Sequence, residues 1–182
     1  MLKFDSEKHQ YYMEIPSVTQ IIRSVVLPNQ YDGVPQHILD KAAEWGTAIH
    51  DAIERDSSFM LDEEQTLLFN SYKKLVDEHH IKIIKKEQMV FYDGEIKYAG
   101  TYDCLADILG AKVLIDIKTT YKLDLIYLSY QLSFYAMAIP EKIDALYVIW
   151  LPKKGKAKFI KIDRVPDEIL KETLKRYKES IC

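Results

Sequence analysis

Apolar residues recur at helical spacing in four stretches of the chain and at the alternating spacing of β-strands in five others. The helical pattern covers residues 35–55, 67–79, 123–139 and 166–181. The strand pattern covers residues 87–92, 95–109, 112–118, 145–151 and 157–163. This order predicts an α/β domain in which a single mixed β-sheet of about five strands is flanked by helices.

Two helix starts are marked by capping signals. Ser17 followed by Gln20, and Asp62 followed by Gln65, each have the spacing of a capping box, in which two side chains satisfy free backbone N–H groups. We therefore expect one helix to begin at Ser17 and another at Asp62.

Composition narrows the class of protein. The 182 residues are 48% hydrophobic and carry a net charge of -3, which predicts one compact domain over residues 1–182 without an overall basic surface. Two cysteines, Cys104 and Cys182, are too few for an iron–sulfur cluster, so none is expected. The charged first ten residues and the lack of a long apolar run predict a cytoplasmic protein that does not enter a membrane.

The most unusual polar residues stand in the strand pattern of residues 112–118. Side chains alternate along a strand, so Asp116 and Lys118 share a face, while the rest of the segment is largely apolar. A turn centred on residues 110 and 111 would place Asp103, on the preceding strand, opposite Lys118 and diagonal to Asp116. Buried charges are costly unless they are paired or bound to metal, so this group needs an explanation.

Two interpretations of this group are open. Two carboxylates can hold a divalent cation that assists hydrolysis of a phosphodiester bond, and the lysine can orient the nucleophile or neutralise developing charge. A buried Asp–Lys salt bridge is the simpler alternative, and the three residues Asp116 to Lys118 alone favour it, because structural ion pairs are common.

A longer series of residues favours the metal. Gly100 to Asp103, Asp116 to Lys118, and then Gln131 and Tyr135 follow His50 and Glu87 in order. This series resembles the PD-(D/E)XK nuclease superfamily, and within it the RecB-type exonuclease branch. The resemblance implies a restriction-endonuclease-like core, with the motifs lying in about residues 46–138 of a single nuclease domain that stands alone.

The same resemblance implies roles for individual residues. It makes His50, Asp103, Asp116 and the backbone carbonyl of Ile117 ligands of Mg²⁺ or Mn²⁺, and imidazole suits manganese better. It also makes Lys118 the group that positions or activates the attacking water. It places a catalytic carboxylate at Glu87, here taken to open its strand, where it can support a second metal or hold the lysine. A purely structural histidine and a solvated glutamate remain the alternatives.

The remaining expected contacts are with DNA. By resemblance, Gln131 and Tyr135 bind the backbone or the reacting phosphate, and Ser17 matches a serine that opens the first helix in many members. Lys153 and Lys154 belong to a lysine-rich segment that can contact phosphates. The alternatives are that Gln131 lies at a helix end that protrudes from the core, that Tyr135 only packs, and that the lysines are only solvated.

The function predicted from the sequence is that of a metal-dependent DNA exonuclease in recombination, repair or phage DNA processing. It would act on the ends of single- or double-stranded DNA. Further copies of the same chain, in a homo-oligomer, or a recombination protein are the other predicted partners. A structure-specific or restriction-like endonuclease, and a catalytically idle DNA-binding subunit of the same fold, are the competing predictions.

Overall fold

The computed structural model describes residues 4–5, 10–11, 15–28, 30 and 32–181. Its helices are α1 (Val18–Ile21), which continues as the π-helix Ile22–Val26, α2 (Gln36–Arg55), α3 (Glu63–Glu78), α4 (Leu125–Ala138) and α5 (Asp167–Ile181). Its strands are β1 (Phe4–Asp5), β2 (Gln10–Tyr11), β3 (Ile81–Tyr92), β4 (Tyr98–Ile108), β5 (Ala111–Lys118), β6 (Ala145–Trp150) and β7 (Lys158–Ile162).

Five of the strands form one mixed sheet in the order β3-β4-β5-β6-β7. Strands β3, β4 and β5 are antiparallel neighbours, and β6 pairs antiparallel with β7. Strand β6 lies parallel to β5, because α4 returns the chain to the starting edge between them. The predicted α/β fold, with a single mixed sheet flanked by helices, is confirmed. Strands β1 and β2 form a separate antiparallel pair.

Helices cover both faces of the sheet and create two buried clusters. One cluster joins α1, α4 and α5 to a face that includes Leu105 and Leu114. The other joins α2 and α3 to the opposite face, which includes Val113 and Ile115. Burial from Val113 to Ile117 makes β5 the central strand, as its apolar run predicts. Among the described residues, every helix is too short or too polar to cross a lipid bilayer.

Both predicted capping boxes are present. The backbone N–H of Gln20 donates to the Ser17 hydroxyl at 3.1 Å, and the Ser17 N–H donates to the Gln20 side chain at 2.7 Å. The backbone N–H of Gln65 donates to Asp62 at 2.8 Å in the same way. Helices α1 and α3 therefore begin where the sequence places them.

Strand β3 differs from the prediction, because it begins at Ile81 and not at Glu87. Lysines alternate irregularly with isoleucines in residues 81–86, since this is an edge strand with a register shift between Ile83 and Lys85. The alternation of apolar and polar residues that marks a strand is therefore broken in residues 81–86. The prediction that Glu87 opens the strand is therefore wrong.

The pairing of β4 with β5 also differs from the prediction. The turn is centred on Leu109 and Gly110, which both have positive φ angles of 52° and 90° and match the hairpin turn that suits twisted strands. Cys104 consequently pairs with Ile115, so Asp103 is level with Asp116 and not with Lys118. The predicted partner is wrong, but a shift by two positions leaves the side chains on the predicted face.

Candidate metal centre

Three potential metal ligands from three elements converge at one place on the sheet. His50 comes from α2, Glu87 from β3 and Asp103 from β4. The Nδ1 atom of His50 lies 3.6 Å from a carboxylate oxygen of Glu87 and 3.8 Å from one of Asp103. The three ligand atoms all lie within 4.8 Å of one another, which is close enough for a single cation to contact all three.

The backbone of Ile117 lies directly beside this group. Its N–H donates to Oδ2 of Asp103 at 2.6 Å, which fixes that carboxylate on the neighbouring strand. Its carbonyl oxygen lies 3.1 Å from Nε2 of His50. The expected carbonyl ligand is therefore adjacent to the cluster, and it is in contact with the imidazole.

Asp116 and Lys118 form a close ion pair on the face of β5 that carries α4. The Lys118 Nζ lies 2.6 Å from Oδ2 of Asp116, and only 2% of Asp116 is exposed. The two residues share a face, as strand alternation predicts. The Asp116 carboxylate faces the lysine and is not one of the three clustered ligand groups.

The pKa values of these groups reflect burial and mutual charge. Burial raises the pKa of Asp116, and the nearby Lys118 ammonium limits the rise to a value of about 6. Burial lowers the pKa of His50, but the carboxylates of Asp103 and Glu87 raise it more, to about 9. For Lys118, burial is again outweighed by Asp116 and Asp103, so its pKa lies above the usual value and the amine is an ammonium at neutral pH.

Glu87 has an unusual backbone for a strand residue, with φ at 46°. Its neighbours Lys86 and Gln88 keep normal pairing with Cys104 and Tyr102 on β4. A left-handed conformation costs a residue with a side chain on the order of 1–2 kcal/mol. Strain of this kind is common in functional sites, where the surrounding structure holds it in place.

Gln131 and Tyr135 are neighbours on α4, as their spacing predicts. The Gln131 amide nitrogen donates to the Tyr135 hydroxyl at 3.1 Å, and both side chains are buried. The Gln131 Oε1 is buried and has no hydrogen-bond partner in the described part of the chain. The Tyr135 ring packs on Gly100, where an added Cβ would come within 2.4 Å of it. Gly100 therefore keeps the helix close to β4.

The other predicted DNA contacts lie on two sides of the sheet. The Ser17 hydroxyl caps α1, and Ser17 also forms a bridge with Ala99 beside Gly100. Lys153 and Lys154 lie in the exposed loop between β6 and β7, with Lys153 Nζ 3.4 Å from the centre of the Trp45 ring. Their contacts with DNA stay predictions.

The structure also places Tyr127 near Lys118, a residue that the sequence analysis did not single out. Its hydroxyl lies 3.1 Å from the Thr19 hydroxyl of α1, and burial raises its pKa while the nearby Lys118 charge lowers it. Tyr127 stands one helical turn before Gln131 on the same face, which is the signal that could have identified it. It links α1 and α4 beside the lysine.

No protein-family model and no curated protein sequence matches the chain. Its structure is similar to the crystal structure of SSO0001, with a TM-score of 0.56 and 16% identity over 96% of this chain and 79% of that one. It is also similar to a protein from Eubacterium rectale described as a putative exonuclease, with a TM-score of 0.50 and 14% identity over 100% of this chain and 85% of that one. At these identities the similarity establishes a shared fold and nothing finer.

Proposed function

We propose that this protein is a divalent-metal-dependent deoxyribonuclease that removes nucleotides from DNA ends. The observation that carries the proposal is the convergence of His50, Glu87 and Asp103 beside the buried Asp116–Lys118 pair. An imidazole, several carboxylate oxygens and an adjacent backbone carbonyl form a ligand set dominated by oxygen. Such a set suits Mg²⁺ or Mn²⁺, and the imidazole favours manganese.

In this proposal His50, Asp103 and the Ile117 carbonyl hold the cation, with Asp116 or Glu87 completing the set. A bound divalent cation would polarise the phosphodiester and acidify a water molecule. Asp103 is oriented by the Ile117 N–H, so its ligand geometry is fixed before any cation arrives. This preorganisation is what a hydrolytic metal site requires.

Lys118 contributes as a cation. Asp116 and Asp103 raise its pKa, so the amine is an ammonium that can position the attacking water and stabilise the negative charge that develops on the phosphate. The unpartnered Gln131 Oε1 can accept a hydrogen bond from a reacting water molecule or from a bound group. Gln131 would therefore help to position a water molecule or a bound group beside the cation.

The preference for DNA ends rests on the ordered motif series and on the fold shared with a protein described as a putative exonuclease. Recombination, repair or phage DNA processing is the setting that the same motifs suggest. Circular DNA separates this proposal from an endonuclease, because a closed circle offers no end.

The test uses end-labelled single- and double-stranded DNA and a closed plasmid, each with Mg²⁺ or Mn²⁺ after treatment with EDTA. We expect metal-dependent loss of linear DNA and an intact plasmid. His50→Ala and Asp103→Asn should each lower the rate about a hundredfold or more. Asp51→Asn, next to His50 on the exposed side of α2, is the matched control and should keep full activity.

Two results would refute the proposal. DNA cleavage no faster than background with either metal, and unchanged by Asp116→Ala, would exclude a nuclease. Rapid nicking of the plasmid at the rate of linear cleavage would instead favour the endonuclease.

A further inference from the structure

The loop that follows β5 is contacted by Trp150 and by the helix that carries Trp45. Gly46, the neighbour of Trp45 on α2, approaches so closely that a Cβ there would be 3.2 Å from the Thr119 hydroxyl. The Trp150 indole N–H donates to the Thr120 carbonyl at 2.7 Å. The Trp150 ring therefore stands at the carboxyl end of β6, whereas Trp45 lies on α2, which covers the opposite face of the sheet.

Trp150 is also in register with the candidate catalytic lysine. Lys118 pairs with Trp150 across β5 and β6, and Trp150 pairs with Lys158 across β6 and β7. Residues paired across neighbouring strands point to the same face of a sheet. Lys118, Trp150 and Lys158 consequently form a row that leads away from the metal centre.

The segment carrying this row is strongly basic, although the chain as a whole is acidic. Residues 153–161 contain five lysines and no acidic residue. In the part of the chain that the structure describes, none of these lysines forms a salt bridge: Lys153, Lys154, Lys156, Lys158 and Lys161. Their positive charge is available to an external anion.

Two of the lysines lie over the indole rings. Lys153 Nζ is 3.4 Å from the centre of the Trp45 ring, and Lys158 Nζ is 5.4 Å from the centre of the Trp150 ring. Cation–π contacts at exposed sites are weak, about 0.5–1 kcal/mol, so a phosphate can draw the amine away and leave the ring to a base. Each pair thus offers one site for a base and one for a phosphate.

This combination is suited to unpaired nucleic acid. Indole rings stack on the faces of bases, and lysines neutralise the backbone between them. In a duplex the base faces are stacked on one another, so an aromatic platform gains little there. A row of phosphate-binding lysines without aromatic rings would instead suit a duplex.

We propose that Trp150 and Lys158 form a path for a single strand of nucleic acid that leads to Lys118. The end of the path at Lys118 rests on the proposed nuclease function, whereas binding of the strand at Trp150 and Lys158 does not. The strand would reach the metal centre with its bases unpaired, so a duplex end would have to separate before its phosphate is presented.

The chain supplies its own reporter, because Trp45 and Trp150 are its two tryptophans. Tryptophan fluorescence is measured in EDTA, where no cleavage takes place, while a single-stranded oligothymidylate or a duplex of equal length is added. We expect quenching and tighter binding with the single strand. Trp45→Phe leaves Trp150 as the reporter, and quenching should persist in that variant.

Two variants assign the contacts. Trp150→Ala should weaken single-strand binding by roughly tenfold or more, as expected for loss of one stacked base. Lys158→Gln should lower the slope of log affinity against log salt by about 0.7, the value for one phosphate of a single strand. Lys82→Gln, at the opposite end of the sheet on β3, is the matched control and should leave the slope unchanged.

The outcomes distinguish this proposal from the proposed function. Quenching with a preference for single strands supports the path even if no cleavage is found with any metal. Metal-dependent cleavage together with equal or tighter duplex binding, or with an unchanged salt slope in Lys158→Gln, would overturn the path and leave the nuclease standing. Because the lysine is exposed, its replacement keeps the test valid if Trp150→Ala fails to fold.

Discussion

Replacing Lys118 by methionine tests whether the Asp116–Lys118 pair exists for stability or for chemistry. The Asp116 carboxylate is 2% exposed and would lose a positive charge that now lies 2.6 Å away. At an effective dielectric constant of about 20, the attraction at this distance is roughly 6 kcal/mol. Desolvation offsets part of it, so we expect Lys118→Met to lower the free energy of unfolding by about 3–5 kcal/mol.

The loss of stability caused by Lys118→Met should become smaller as the pH falls. The pKa of Asp116, already about 6, rises further when the ammonium is removed. A carboxyl group whose pKa is raised by folding destabilises the protein at high pH, and protonation relieves the cost as the pH falls through that pKa. The loss caused by Lys118→Met should therefore be smaller at about pH 5 than at pH 7.

The double replacement Asp116→Leu with Lys118→Met separates the two roles. Apolar residues can substitute for a buried ion pair with no loss, or with a gain of about 1–4 kcal/mol. If the pair serves the reaction, this variant should be as stable as the unaltered protein or more stable, and inactive. A pair kept for structure would give a double variant as unstable as Lys118→Met.

The free energy of unfolding is measured by urea denaturation in EDTA, with the slope m used to check that the transition is unchanged. Lys142 and Asp144 provide the matched control, because they have the same spacing in the sequence and lie 2.7 Å apart, but they are at the surface. Their coupling should be much smaller, because solvent screens two charges at the surface. A coupling equally small for Asp116 and Lys118 would show that burial does not strengthen their attraction.

Two further predictions concern packing and the metal. Gly100→Ala should lower the free energy of unfolding by about 1–3 kcal/mol, because the new Cβ meets the buried Tyr135 ring; an unchanged urea midpoint would contradict this. Because the pKa of His50 is about 9 without metal, a bound cation must displace its proton, so Mn²⁺ affinity should rise by up to tenfold per pH unit below about pH 9 and level off above it. Calorimetry in buffers of different ionisation enthalpy measures the released proton, and release that persists in His50→Ala would count against this assignment.

Local features of the sequence determined the elements and part of the site. The helix predicted over residues 35–55 is Gln36–Arg55, and both capping boxes form, because period and caps depend on residues a few positions apart. The common face of Asp116 and Lys118 follows from alternation along one strand. The order of motifs identified the candidate residues themselves, since the resemblance depends on residue types and spacing.

The register of β4 against β5 and the backbone conformation of β3 could not be predicted from the sequence. A hairpin centred on Leu109 and Gly110 requires a leucine with positive φ, which propensity disfavours, so the turn was placed one residue too late. Glu87 lies inside β3 in a left-handed conformation, because neighbouring pairs on β4 hold it there. Both features arise from contacts between strands, which no single segment encodes.

The convergence of the ligands was decided by tertiary structure alone. His50 and Ile117 are separated by 67 residues, and their contact exists because α2 packs on the face of the sheet opposite α4. The same packing surrounds His50 with carboxylates and so raises its pKa. The sequence supplied the types and order of these groups, while burial and distance, which set their charges and mutual contacts, required the assembled sheet and helices.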